Sequence, residues 1–148
     1  HIQLQTLHPG TPVAAGTGWQ LLPVSVPHRR DVSDTVGFLI QGPAAALLYV
    51  PDMDQLTPEL LSLLTVVDYA LLDGTFYTAD ELPDRAGDQI SHPAIEDLLR
   101  QLGDAYRGKV WFTHLNHSNA AAAPTAEARA AILAQGFDIA REGQYWYL

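Results

Sequence analysis

Cysteine is absent from the 148-residue sequence. A disulfide framework is excluded, and so is any zinc-finger or iron–sulfur site built on thiolates. Basic residues are scarce: 8 Lys and Arg stand against 17 Asp and Glu, for a net charge of −9. Sequence-independent nucleic-acid binding needs clustered cations to neutralise phosphates. The one adjacent basic pair, Arg29-Arg30, is followed at once by Asp31. Nucleic acid and anionic membrane surfaces are therefore not expected partners. No apolar run reaches the ~18 residues of a membrane span. No basic-then-apolar leader opens the sequence, so the cytoplasm is the default expectation. Repeats and long low-complexity tracts are also missing. Apolar residues make up 47% and charged residues 17%, which predicts one globular domain with a real core.

Turn and cap signals divide the sequence into alternating elements. After an irregular start ending at Pro9-Gly10, Trp19 to Val26 reads as a strand, with Pro23 marking an edge or a bulge. Thr35 to Gln41 and Ala44 to Val50 form a hairpin across Gly42-Pro43. Thr57-Pro58-Glu59 starts a helix, and the apolar run Val66 to Leu72 is a strand buried on both faces. A polar loop from Thr78 to Ser91 carries Asp80, Glu81, Asp84 and Asp88. His92-Pro93 opens a second helix that stops at Gly103. Lys109 to Thr113 is a buried strand, and Thr125 caps a third helix ending near Gly136. Phe137 to Ala140 and Gln144 to Tyr147 are short closing strands. The order β-β-β-α-β-α-β-α-β-β predicts an α/β layered fold.

In such folds ligands gather at the carboxyl ends of strands. His28 follows the first strand, Asp52 the third, Asp73 the fourth, and His114 and His117 the fifth. Each has a plain structural reading. His28 could cap a turn, Asp52 could serve the Thr57 helix as an N-terminal anion, and Asp73 could bond the N–H groups of its own loop. His92 could cap its helix, and His117 could be a polar loop residue. Taken together, imidazoles and carboxylates converging without thiols make an N/O site suited to zinc, iron or manganese. Water on such an ion has its pKa lowered toward neutrality and is a nucleophile.

The blocks VPHRRDVSDTVGFLI, LLYVPDMDQL, VDYALLDGTF, SHP, FTHLNHSN and GFDIAREGQ occur in this order. In that order they resemble the second half of metallo-β-lactamase-fold proteins, with coenzyme PQQ synthesis protein B as the nearest subgroup. The resemblance runs from about Leu21 to Gln144 and implies an αβ/βα sandwich with a mixed sheet and helices. It implies that His28 ligates a first metal, that Asp52 bridges two, and that His114 ligates a second. Asp52 and His117 would be catalytic, and Asp73, His92 and His117 would lie in the pocket or behind the ligands. The implied cofactor is a divalent metal, zinc first, with iron or manganese as alternatives.

The HxHxDH signature of that family is absent from these 148 residues. Residues 1–148 are therefore expected to be the C-terminal portion of the domain, with the HxHxDH-bearing half absent. Half a sandwich exposes a sheet face, so a homo-oligomer or association with the missing half is expected. Relatives carry a proline and bulkier residues where Asn119 is followed here by a run of alanines. The implied activity is metal-dependent hydrolysis of a small molecule. The alternatives are a non-catalytic binding or assembly module and a phosphodiesterase of small cyclic phosphates. The PQQ subgroup would instead imply oxidation of a tyrosine-derived precursor at iron.

Overall fold

The computed structural model describes residues 2–29, 34–81 and 91–148. Arg30 and Asp31, and Asp84 and Asp88 of the polar loop, lie outside the described residues. The strands are β1 (Val13–Ala14), β2 (Gln20–Val26), β3 (Thr35–Gln41), β4 (Ala46–Val50), β5 (Tyr69–Asp73), β6 (Val110–Thr113) and β7 (Asp138–Ile139). The helices are α1 (Pro58–Val66), α2 (Ile95–Leu102) and α3 (Glu127–Ala134). Among the described residues the strands form a single sheet in sequential order, β1 to β7. Pairing is antiparallel from β1 to β4 and parallel from β4 to β7.

This topology fixes where the core sits. β4, β5, β6 and β7 step across the sheet in one direction, and each step passes through one helix. Crossovers between parallel strands are right-handed, so three successive steps in one direction place all three helices on the same face. Leu48, Val50, Ala70, Leu72, Val110, Phe112 and Ile139 project to that face and are buried with Leu60, Leu64, Ile95, Leu98, Leu99, Leu102 and Ile132. No helix among the described residues is long and apolar enough to cross a membrane.

Several expectations needed correction. β1 falls in a stretch with no apolar run, and its two residues pair only with Leu21 and Gln20. Val66 belongs to α1, so the apolar run Val66 to Leu72 is divided between a helix end and β5. Thr125 does not cap α3; Ala126 stands at the cap and makes no side-chain bond. α2 begins at Ile95, because the Ile95 N–H donates to the Phe76 carbonyl at 2.9 Å and holds residues 92–94 outside the helix.

Gln144 to Tyr147 is not a strand. Its three successive aromatics, Tyr145 to Tyr147, cross the sheet rather than join it. Trp146 meets Trp111 of β6 edge-on at 5.8 Å between ring centroids, and Leu148 lies against Gly42 beyond β3. Leu47 and Leu71, on the face away from the helices, are buried, while Tyr49 on that face is exposed. The C-terminal segment thus spans part of the face expected to be open.

Pro23 sits in an unbroken ladder with β3, opposite Phe38. Its carbonyl accepts from Gly10 N–H at 2.8 Å on the other side. The donor that proline lacks points to that same side, beyond the short β1 ladder, so it breaks no pairing.

Candidate metal centre

β2 is antiparallel to β3, and β3 to β4, so β2 runs in the same direction as β4, β5, β6 and β7. The residues past the ends of β2, β4, β5 and β6 therefore meet along one sheet edge. This brings together His28, Asp52, Asp73 and His114, with His92 entering from the segment before α2. The His28 and His92 rings are 4.9 Å apart and those of His92 and His114 are 5.9 Å apart. Asp52 Oδ1 lies 3.9 Å from His28 Nε2 and 3.6 Å from His114 Nδ1.

Asp73 lies beneath this cluster and is fully buried. Its Oδ2 accepts from Met53 N–H at 3.0 Å and pairs with His92 Nδ1 at 2.7 Å. Its Oδ1 accepts from the Thr75 N–H at 2.9 Å and from the Thr75 hydroxyl at 2.7 Å. Asp73 thus bonds its own loop, as the plain reading of it expects, and also fixes the loop that carries Asp52. His92 does not cap α2; its ring turns to Asp73.

The backbone around Asp73 is tightly set. A Cβ on Gly74 would stand 2.8 Å from Phe112 Cβ and 3.0 Å from the Thr113 carbonyl oxygen, so the chain crosses β6 there only without a side chain. Asn119 is buried, and its amide donates to the Gly74 and Thr75 carbonyls at 2.8 and 3.2 Å. His114 has a φ of 59°, in the left-handed region. A non-glycine residue there is strained by roughly 1 kcal/mol or more, and such strain concentrates at functional sites.

Two further groups were not singled out from the sequence. Asp54, two residues beyond Asp52, puts Oδ1 3.3 Å from His28 Nδ1. That contact lacks hydrogen-bond alignment, and His28 Nδ1 is a buried nitrogen without a hydrogen-bond partner among the described residues. Thr75 joins Asp73 to both His92 and His114. His117 lies apart: it is exposed on the Asn116–Asn119 turn, where its N–H donates to Asn116 Oδ1.

Donor atoms of His28, Asp52 and His92 lie within 4.8 Å of one another, as do those of Asp73, His92 and His114. The first set fits a cation on two observations. The 3.9 Å between Asp52 Oδ1 and His28 Nε2 is too long for a hydrogen bond but short enough for one ion with ~2.1 Å bonds to span. His28 Nδ1 faces Asp54, which leaves Nε2, the nitrogen toward Asp52, as the ring's donor to an ion. A cleft of about 420 Å³ opens beside the cluster, with Asp54, Phe76, His92 and Arg100 among its lining residues.

Burial alone would lower the His92 pKa. The hydrogen bond and charge of Asp73, with the charges of Asp52 and Asp54 behind it, outweigh that and hold it above its ordinary value of 6.5. Folded His92 therefore keeps its proton to higher pH than unfolded His92. The stabilisation from the charged pair is complete below pH 6.5 and is lost as pH rises through the folded value. The thermal midpoint of the metal-free chain is expected to fall over that rise, and His92→Gln to flatten the slope. A midpoint that rises over this interval would contradict the pairing.

Comparison with known proteins places this geometry. The β-lactamase superfamily domain matches residues 1–115, and the chain belongs to that family. It is similar to coenzyme PQQ synthesis protein B of Nitrosococcus oceani, 32% identical over 130 residues, covering 79% of this chain and 42% of the relative. The protein of the same name from Methylobacterium sp. (strain 4-46) is 30% identical over 122 residues, covering 77% and 41%. The chain thus spans about two-fifths of the length of these curated relatives.

Among solved structures, Zn2+-bound PqqB from Methylobacterium extorquens superposes with a TM-score of 0.83 at 23% identity, covering 97% of this chain and 55% of that one. The metallo-β-lactamase fold protein YhfI from Bacillus subtilis gives 0.69 at 18% identity, covering 95% and 54%. These likenesses show the metallo-β-lactamase fold expected from the sequence.

Proposed function

We propose that this chain supplies the strand-edge half of a metal-dependent hydrolase site and that its ion is zinc. The observation that carries the reading is the convergence of His28, Asp52 and His92, whose donor atoms lie within 4.8 Å of one another. His28 and Asp52 would hold the ion, with His92 and His114 as the adjoining imidazoles. The thiol-free donor set admits zinc, and also iron or manganese; the zinc in the PqqB neighbour supports the first choice. A bound zinc supplies Lewis-acid polarisation of a carbonyl or phosphoryl oxygen. Asp73 keeps His92 oriented and the Asp52 loop in place, and the cleft beside His92 receives a small substrate. His117, being exposed and apart, would act only on a substrate that reaches the Asn116–Asn119 turn.

On this reading the 148 residues form the C-terminal portion of a larger two-layer domain. Full hydrolysis then draws further ligands from polypeptide that carries the HxHxDH signature. The face bearing the exposed Tyr49 is where that layer would pack.

The test is metal content after purification without chelators, beside a His114→Ala variant. About one zinc per chain is expected, falling in the variant. Absence of metal in the parent, with none taken up on adding zinc, would overturn the reading. It would leave the alternative of a non-catalytic module descended from the fold.

A further inference from the structure

The Thr75 hydroxyl stands at a three-way junction. Its oxygen lies 2.7 Å from Asp73 Oδ1, 3.2 Å from His92 Nδ1 and 3.1 Å from His114 Nδ1. A hydroxyl has one proton to donate and two lone pairs to accept with, whereas a carboxylate only accepts. The hydroxyl proton must therefore go to Asp73. Both lone pairs then face imidazole nitrogens, and each of those nitrogens must carry a hydrogen. We propose that Thr75 is a positioning residue whose hydroxyl fixes His114 as its Nδ1–H tautomer, beside a His92 that Asp73 fixes in the same form, leaving Nε2 of each ring as its free lone-pair donor.

The hydroxyl is not free to turn away. Thr75 is buried. Its carbonyl accepts from Asn116 N–H at 3.0 Å, and the preceding residue, Gly74, donates its N–H to the Thr113 carbonyl at 2.8 Å. The Asn119 amide donates to the Gly74 and Thr75 carbonyls. Residues 113–119 thus hold one oxygen at the meeting point of two rings and a carboxylate.

The same count assigns the group Asp73, His92 and His114. Its donor atoms are close enough for a cation, but Asp73 already accepts four hydrogen bonds, and the Thr75 oxygen stands among the three side chains. The group is a hydrogen-bonded cluster that sets ring orientation. Any ion belongs on the far side of the rings, at nitrogens that Thr75 and Asp73 keep unprotonated. The tautomer assignment stands without a metal; its consequence for metal affinity rests on the reading above.

The test is the pattern of long-range 15N–1H couplings in the histidine rings of the metal-free protein, at a pH where the rings are neutral. Two rings, assigned by His92→Gln and His114→Gln, are expected as Nδ1–H, the less populated form of free histidine. Thr75→Ser should retain the pattern. Thr75→Val, close in shape but without the hydroxyl, should release His114, while Asp73 still holds His92. If the Val variant does not fold, the parent spectrum decides alone.

An Nε2–H form at His114 in the parent, or a folded Val variant with the parent pattern, would overturn the proposal. In a zinc titration, Thr75→Val should bind roughly 10- to 100-fold more weakly, the usual effect of removing a group that orients a ligand, and Ser should stay near the parent. A parent that binds no zinc but shows the Nδ1–H pattern would refute the metal reading and leave the role of Thr75 intact.

Discussion

Replacing Asp73 with Ala is expected to destabilise the chain by about 3–5 kcal/mol, the usual cost of breaking a buried charged pair. The carboxylate is fully buried and accepts four hydrogen bonds. Its removal strands the N–H groups of Met53 and Thr75 away from water, each at about 1–3 kcal/mol. A domain of this size has only about 5–15 kcal/mol in total, and its thermal midpoint falls by about 2–4 °C per kcal/mol. A drop on the order of 10 °C should therefore appear in thermal unfolding. Asp73→Asn keeps the shape but turns an amide NH2 toward donors, so an intermediate loss is expected. A midpoint for Asp73→Ala within about 2 °C of the parent would mean that the Asp73 network is not formed.

The position of Asp73 explains why the site was partly legible from sequence. Residues at strand ends can be read off a chain once the strands are found, and a parallel arrangement brings those ends together. His28, Asp52 and His114 each follow a strand and Asp73 ends one, all running in the same direction, so the sequence pattern located them. Thr75 and Asp54 left no such signal. A threonine in a DGT turn looks like any other turn residue until the rings of His92 and His114, 17 and 39 positions away in sequence, fold against its oxygen.

The misread elements have the same origin. The run of aromatics from Tyr145 to Tyr147 suits a strand, but here Trp146 lies across Trp111 and the segment does not pair with β7. Val66 and Val67 continue the apolar run into β5 although Val66 ends a helix, since an unbroken apolar stretch does not show where one buried element stops and the next begins. His92 read as a helix cap because it precedes Pro93. Only the long-range bond between Ile95 and Phe76 shows that the helix starts three residues later, which frees the ring for Asp73.

Asp52 should behave in the opposite way to Asp73. Among the described residues Asp52 accepts no hydrogen bond; its closest basic partners, His28 and His114, lie at 3.9 and 3.6 Å. Its side chain is about one-third exposed, so water already solvates it, and little folding energy depends on it. Asp52→Ala is accordingly expected to leave the metal-free midpoint within about 0.5 kcal/mol of the parent, as surface changes usually do.

Metal affinity should respond differently. Removing a group that merely orients a ligand costs about 10- to 100-fold, so losing a ligand itself should cost more than about 100-fold. The check is a zinc titration of parent and variant alongside thermal unfolding of both in chelator. Full zinc affinity in Asp52→Ala would remove Asp52 from the metal centre, whereas a large loss of metal-free stability would make it a structural residue. The contrast with Asp73 is decisive because both are aspartates at the same sheet edge. One is buried and fully hydrogen-bonded within the protein, and the other is left with oxygens that only water or an ion can satisfy.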